Sequence, residues 1–439
     1  MRRRLAFLAG SSCRFTLLYR GIILSFQPSL PLPVLLLLLL IVVTPAQAEN
    51  WPRYRGVDGS GVSQETGFPA EWSQGDYEWV TELPGEGHSS PVIWDRHLFV
   101  TTATDEGRIR YLMCLDAITG KPLWTRPSGF NSNPKHSKNS FASSTPATDG
   151  EQVYVTFADE ERFGLAAYDF EGKLVWRNWL GPYLSRHGQA TSPIVFEDLV
   201  IIPNDQDGPS SIAAYDRRDG RLVWSSLRAS REASYATPLI IEPTGQKPQL
   251  ICLSGASGLS SLDPWSGELN WSTADLPART VASPTYTSGL LYAICGQGGK
   301  GVRMIGVDPS GKGDVEATHV KFRREKDLPY VPAVVGTGES VFLWTDNGVV
   351  ICLDPKTQET RWQERVGGNF SGSPICVDGK LYCIEESGKV IVVSAGTKFE
   401  RLGENPIGDP SYSTPAVANG RMYLRSHHRL SSLRAKSAE

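Results

Sequence analysis

Asp116-Ala117-Ile118-Thr119-Gly120-Lys121-Pro122-Leu123-Trp124 returns as Asp216 to Trp224, Asp263 to Trp271 and Asp354 to Trp362, and one residue shorter as Asp169 to Trp176. In each copy the Asp can bond turn amides, the Gly supplies positive φ, and the Trp offers a large flat face to pack between neighbouring units. Outside these copies a strand-like segment opens with proline at Pro91, Pro146, Pro193, Pro238, Pro284, Pro332, Pro374 and Pro415. The spacings are 55, 47, 45, 46, 48, 42 and 41 residues. A period in the forties marks units that cannot bury their own apolar faces without neighbours.

The second copy spells one unit. Ser144-Thr145-Pro146-Ala147-Thr148 leads to a turn at Asp149-Gly150, then to the alternating Val153-Tyr154-Val155-Thr156, then to Leu165 to Asp169. After Glu171-Gly172-Lys173 comes Leu174-Val175-Trp176. Four short strands joined by Gly and Asp turns, with no 3.6-residue period after residue 50, predict an all-β fold: an eight-bladed β-propeller of four-stranded antiparallel blades over residues 49–439. Seven blades is the alternative if the last copy does not form. The fifth unit has Val307-Asp308-Pro309-Ser310-Gly311-Lys312 without Trp, and the seventh, Val392 to Phe399, lacks both Asp and Trp. Those two are expected to pack by other means and could form a weaker sector. The eighth copy, Ser413-Thr414-Pro415 to Leu433, is one strand short, and Tyr77-Glu78-Trp79-Val80-Thr81 is expected to complete it, removing exposed edges.

Residues 1–48 differ in kind. Arg2, Arg3, Arg4, Arg14 and Arg20 precede an unbroken apolar run from Val34 to Val43, then Ala46-Gln47-Ala48. That is a signal peptide's layout, with cleavage after Ala48 and an export address, periplasmic or secreted. The long stretch before Pro31 also fits a start codon placed too early. A run of that length is too short to cross a bilayer, which needs about 20 residues as a helix, so no transmembrane segment is expected in the mature chain. No Cys follows it to carry a lipid. The leader's five arginines removed, 39 basic residues face 47 acidic ones, a net charge of −8 that argues against nucleic acid as partner.

Cys114, Cys252, Cys295, Cys352, Cys376 and Cys383 remain. An even count in an oxidising compartment invites pairing, yet each lies in an apolar strand segment. A two-residue turn at Asp378-Gly379 sets Cys376 opposite Leu381 and Cys383 opposite Pro374, so these two are diagonal and all six read as buried free thiols.

The Asp-x-x-Thr-Gly-Lys-x-x-Trp pattern of Asp116 to Trp124 resembles the tryptophan-docking repeat of the PQQ-like propeller superfamily, which includes quinoprotein alcohol dehydrogenases and the propeller lipoprotein of the outer-membrane β-barrel assembly machinery. Trp51-Pro52-Arg53-Tyr54-Arg55-Gly56, followed by Asp58-Gly59-Ser60-Gly61, resembles exported bacterial PQQ-like repeat proteins. The resemblance implies a structural docking role for Trp124, Trp176, Trp224, Trp271 and Trp362. The dehydrogenase branch would further imply PQQ and calcium, held beside a vicinal disulfide by acidic and amide ligands. This chain has no adjacent Cys pair, and no cofactor is expected outside that alternative. The lipid-bearing Cys of the assembly lipoprotein is also missing.

First strands of propeller blades line the central channel, so the residues just before the repeated prolines are expected to converge at one mouth. They collect His88, Ser89, Ser143, Arg186, His187, Tyr235, Arg279, Tyr330, Asn369 and Tyr412. Such a ring suits an anionic or sugar-like group, or simply fills a narrow wet channel. The longer loop Ser128 to Ser140, with Asn131, Asn133, Lys135, His136, Lys138 and Asn139, is the expected specificity element.

Three further stretches carry no site. Asn204-Asp205-Gln206-Asp207-Gly208 fails as a calcium loop because Pro203 stands at the first ligand position, and reads as a solvated turn. His427-His428 reads as adjacent strand residues on opposite faces at the edge of the closing blade, unable to chelate together, so no metal is assigned. Lys321 to Asp327, the most basic stretch, reads as a solvated inter-blade loop. With no catalytic order of Ser, His and Asp to defend, the expected function is an exported, non-catalytic scaffold that binds an envelope protein or a small ligand. A divergent PQQ- and calcium-dependent alcohol or sugar dehydrogenase is the alternative.

Overall fold

Turn chemistry sets the local structure. Asp149 Oδ1 accepts from the amides of Glu151 and Gln152 at 2.9 and 2.7 Å, and the β-rich run Gln152–Ala158 follows as a strand. Asp116 likewise accepts from the amides of Ile118 and Thr119. Repetition of such turns yields eight sheets. The computed structural model describes residues 49–436, so the leader read over residues 1–48 lies outside the described residues. Blades 1 to 7 span residues 92–129, 147–179, 194–228, 239–272, 285–324, 335–365 and 375–406. Blade 8 joins 416–434 to Tyr77–Glu82, which pairs antiparallel with Arg429–Arg434 and closes the ring as expected from the sequence.

The fourth strand of every blade carries a register shift, in blades 1, 2 and 3 at Leu123, Val175 and Val223, the residue before the docking Trp. A bulge there increases local twist and turns the indole toward the next blade. Trp124, Trp176 and Trp224 then donate their indole N–H to the carbonyls of Phe170, Arg217 and Pro264, each the residue after the turn Asp of the following blade, at 2.7, 2.9 and 3.0 Å. Trp79, on the strand that closes the ring, does the same to Ala117 at 3.2 Å. The indole lies so close over the turn glycine that a Cβ at Gly120 would sit 2.5 Å from Trp79, and one at Gly172 2.7 Å from Trp124. Glycine is therefore needed there twice, for positive φ and for the missing side chain.

Blades 5 and 7 use substitutes. Trp271, fully buried, donates to Gln249 Oε1 of its own blade, and Gln249 Nε2 donates to the Pro309 carbonyl of blade 5, relaying the same bond through an amide. Tyr292 of blade 5 meets Gln358 of blade 6 at 2.9 Å. Blade 7 is covered by the N-terminal segment, where Trp72 N donates to Asn405 Oδ1 and Asn405 Nδ2 donates to the Ala70 carbonyl.

Three sequence expectations need correction. Lys321 to Asp327 is mostly the fourth strand of blade 5, Val320–Arg324, paired with Lys300–Val307, because its alternating side chains suit an outer edge with one wet face. The Asn204–Gly208 stretch is not a solvated turn: Asp205 is buried and ion-paired at 2.8 Å with the Arg228 side chain, itself 5% exposed. His427 and His428 sit in the turn between Arg421–Arg425 and Arg429–Arg434, not on a strand. The six described cysteines are all free and buried, and Cys376 pairs in register with Leu381.

Candidate functional site

The segment before the first blade closes the channel. Trp51 bridges to Ile93 in blade 1, and the Pro52 carbonyl accepts from Thr148 N in blade 2. Arg53 donates to the Pro238 carbonyl of blade 4, Arg55 to that of Val334 beside blade 6, each at 2.7 Å, and the Tyr54 hydroxyl meets Ser373 Oγ beside blade 7 at 3.0 Å. Burial lowers the pKa of both arginines, Arg53 to about 10. A plug tied to so many blades turns an open channel into a blind funnel floored by Tyr54. The funnel encloses about 690 Å³.

In the segments leading into the first strands, alternation selects most of the side chains that enter, with Tyr330, two before Pro332, the exception. Residues one before the proline face the cavity, namely Ser90, Thr145, Ser192, Thr237, Ser283, Val331 and Thr414, as do those three before it, among them His88, Ser143, Tyr235, Ser371 and Tyr412. The inner hydroxyls also lace the blades together: Ser90 N donates to Thr145 Oγ1, Thr145 N to Ser192 Oγ, Thr237 N to Ser283 Oγ and Ser373 N to Thr414 Oγ1, each at 2.9 Å.

Of the sequence candidates, His88, Ser143, His187, Tyr235, Arg279, Tyr330 and Tyr412 line the cavity. Ser89 does not. It stands two before its proline, faces into the wall, and takes the Thr101 amide on its Oγ. Arg186 is exposed, with its amide on Asp207, and Asn369 is exposed beyond the rim. Missed from sequence were Tyr54, Glu232 and Asp346. The plug motif was visible, but nothing in a sequence says that a segment outside the repeat enters the channel.

The loop 128–140 leans over the mouth. Asn139 Nδ2 donates to the His187 carbonyl at 2.6 Å, His136 stacks on His187 with centroids 5.3 Å apart, and Lys138 Nζ reaches Glu386 Oε1 of blade 7 at 2.7 Å. Ser371 Oγ donates to the same carboxylate oxygen at 2.6 Å. Opposite, Arg279 lies on the His187 ring, 3.0 Å from Nδ1, with Glu232 at 3.4 Å. Burial and then Arg279 hold His187 below its ordinary pKa. Asp346 accepts from Tyr330 N at 2.6 Å, and burial raises its pKa to about 6. Burial pushes the Tyr235 hydroxyl up to about 12. The cavity thus offers four phenol rings and hydroxyls, with its two cations already facing carboxylates.

A family model described as outer membrane protein assembly factor BamB matches residues 62–235, 208–316 and 327–401. The chain belongs to this PQQ-like propeller family. Two solved relatives in fold are the quinohemoprotein alcohol dehydrogenase of Comamonas testosteroni (12% identity, TM-score 0.67, covering 89% of this chain and 81% of that one) and BamB of Moraxella catarrhalis (15%, 0.58, 82% and 99%). Saccharomyces cerevisiae Sqt1 shares the architecture at 10% identity and TM-score 0.59, covering 82% and 99%. No curated protein matches. At such identities the PQQ-like propeller shares with these structures its fold, and the funnel's side chains must speak for themselves.

Proposed function

We propose that this PQQ-like propeller is an exported, non-catalytic binding protein whose blind funnel holds a sugar-sized, polyhydroxylated ligand. The observation that carries the reading is the plugged cavity of about 690 Å³, within the size range of small-molecule sites, in which Tyr54, Tyr235, Tyr330 and Tyr412 supply ring faces among hydroxyls and paired charges. Because Arg279 faces Glu232 and Lys138 faces Glu386, little net positive charge is left to favour an anion over a neutral polyol. Stacking on phenol rings and dense hydrogen bonding suit such a ligand.

The side chains fit PQQ with calcium poorly. Asp346, the cavity carboxylate closest in kind to a calcium ligand, already accepts backbone amides from Tyr330 and Val331, and burial raises its pKa to about 6, whereas a hard cation wants free, readily ionised oxygens. The buried cysteines stand on separate strand positions with no neighbouring pair. A second reading, an envelope protein as partner, finds support in apolar side chains exposed on the outer strands of blades 3 and 4, with Leu227 91% and Leu269 60% exposed.

The test is calorimetry and thermal melting with a panel of mono- and oligosaccharides, alongside PQQ plus calcium. The reading expects a sugar to raise the midpoint and Tyr412→Ala to abolish that rise. A rise only with PQQ plus calcium would transfer the funnel to the dehydrogenase alternative.

A further inference from the structure

Next to the funnel, at the seam where blade 8 meets blade 1, two elements distant in sequence bring a carboxylate and two imidazoles together. Glu86 and His88 lie two apart on the extended segment leading into blade 1, held by reciprocal backbone bonds between Glu86 and Ala103 at 2.9 Å, so they share a face. His427 projects from the last hairpin turn, its amide donating to the Pro410 carbonyl at 2.8 Å. One ligand atom from each residue lies within 4.8 Å of the others. The His88 Nε2 and Glu86 Oε1 atoms are 3.2 Å apart, and the two imidazole centroids 4.9 Å.

What distinguishes this cluster from a surface charge group is its unfinished hydrogen bonding. His88 is 8% exposed, and the Nε2 atoms of both His88 and His427 are buried without a hydrogen-bond partner. His88 Nε2 stands 3.2 Å from Glu86 Oε1, so imidazole and carboxylate already lie within reach of one shared ion. Buried polar nitrogens are normally paired, so two orphans facing one carboxylate call for a shared partner.

We propose that Glu86, His88 and His427 bind a divalent first-row transition-metal ion, zinc being the natural probe, and that the ion clamps the closing seam of the ring. Two imidazole nitrogens and one carboxylate oxygen are a borderline donor set that suits zinc and its neighbours, whereas calcium and magnesium favour oxygen alone. The surroundings set limits on the affinity. Arg425, fully buried, donates to the Ser89 carbonyl at 3.1 Å and shares the field of Glu86, while the Tyr412 ring packs edge-on against both imidazoles. His428 faces away, with Nδ1 3.4 Å from Asp409, and is no ligand. The sequence made His427 and His428 the pair to consider. The fold separates them and gives His427 different partners.

The experiment uses the purified mature chain after removal of metals with a chelator. Zinc calorimetry, cobalt absorption spectroscopy and thermal melts are run on the unmodified protein and on His427→Gln, Glu86→Gln and His428→Gln. The expected result is one ion per chain, a raised melting midpoint, cobalt bands of low-coordinate N/O ligation, and affinity weakened ~10-fold or more in His427→Gln and Glu86→Gln, by analogy with the cost of disturbing metal-site ligands and their supports. His428→Gln should bind as the parent does. Both informative variants sit at partly exposed positions, so folding, checked by circular dichroism, should survive. Absence of zinc binding in the parent, or binding unchanged by both substitutions, would overturn the proposal. Because His88 also lines the funnel, the titrations are run with no sugar present, and zinc binding is then read independently of the proposed sugar site.

Discussion

The rim and the funnel of this propeller arise from the same repeat, yet the repeat is faithful at one and broken at the other. At the rim, Trp124, Trp176 and Trp224 perform one operation, an indole laid on the next blade's turn with its N–H on a fixed carbonyl. In the funnel, the cavity-lining positions three before the prolines are His88, Ser143, Ala190, Tyr235, Val281, Ser371 and Tyr412, with Tyr330 close by, so the blades present five different residue types there. Identical positions hold the ring together, and the differing ones create a site. Substitutions at the rim should therefore cost stability and spare binding, while those in the funnel should do the reverse.

The largest effect is expected at the rim. Trp176→Ala removes a buried indole and its bond to Arg217, and should destabilise by about 3–5 kcal/mol in urea unfolding. Tyr412→Ala, by contrast, should stay within about 1 kcal/mol of the parent, since this partly exposed ring holds no rim contact, while losing the ligand-induced shift. Equal losses of stability in the two variants would break the comparison.

Asp346 offers a pH-resolved test inside the funnel. Its folded pKa of about 6 exceeds its unfolded value, so the native state holds the proton more tightly and stability falls as pH rises from about 4 to about 6. Asp346→Asn lacks that loss. The variant should gain on the parent by about 1–3 kcal/mol across that window, with a constant difference above it, as read by unfolding at fixed pH. A difference independent of pH would contradict the assignment.

A smaller effect sharpens the rim. Blades 5 and 7 lack the docking Trp, yet the Tyr292 and Gln358 contact and the Trp72 cover replace it, while the Gln249 relay carries the bond of Trp271 in blade 4 to blade 5. Hydrogen exchange should find these blades protected to within about 1 kcal/mol of the others. Gln358→Ala should cost about 1 kcal/mol, the scale of a hydrogen bond. The smallest change is at Lys138, whose part-exposed pair with Glu386 is worth under about 1 kcal/mol. Lys138→Ala should leave the melt nearly unmoved and speed ligand release, measured by stopped flow.

The same division explains what could be read from the chain beforehand. Strand count and turn placement were legible because they repeat, and ring closure by the strand at Tyr77 because the repeat leaves its last copy one strand short. The docking role of Trp79 was hidden because it lies outside the period. The facing of funnel residues mostly followed alternation in the segments before the prolines, so Ser89, two before its proline, turned into the wall while His88 and Ser90 did not, although Tyr330, also two before its proline, enters the cavity. Tyr54 and Asp346 could not be foreseen, since one comes from the plug and the other from a hairpin between the second and third strands of blade 6. His427 met Glu86 and His88 only because closure brings the two ends of the chain together.

The measurement that bears most directly on this division is hydrogen exchange by mass spectrometry, with and without a saturating sugar identified by the melt. The account predicts new protection in the segments before the prolines, in the plug around Tyr54 and in loop 128–140, with the rim turns unchanged. Protection appearing instead along the outer strands of blades 3 and 4, or nowhere, would contradict it.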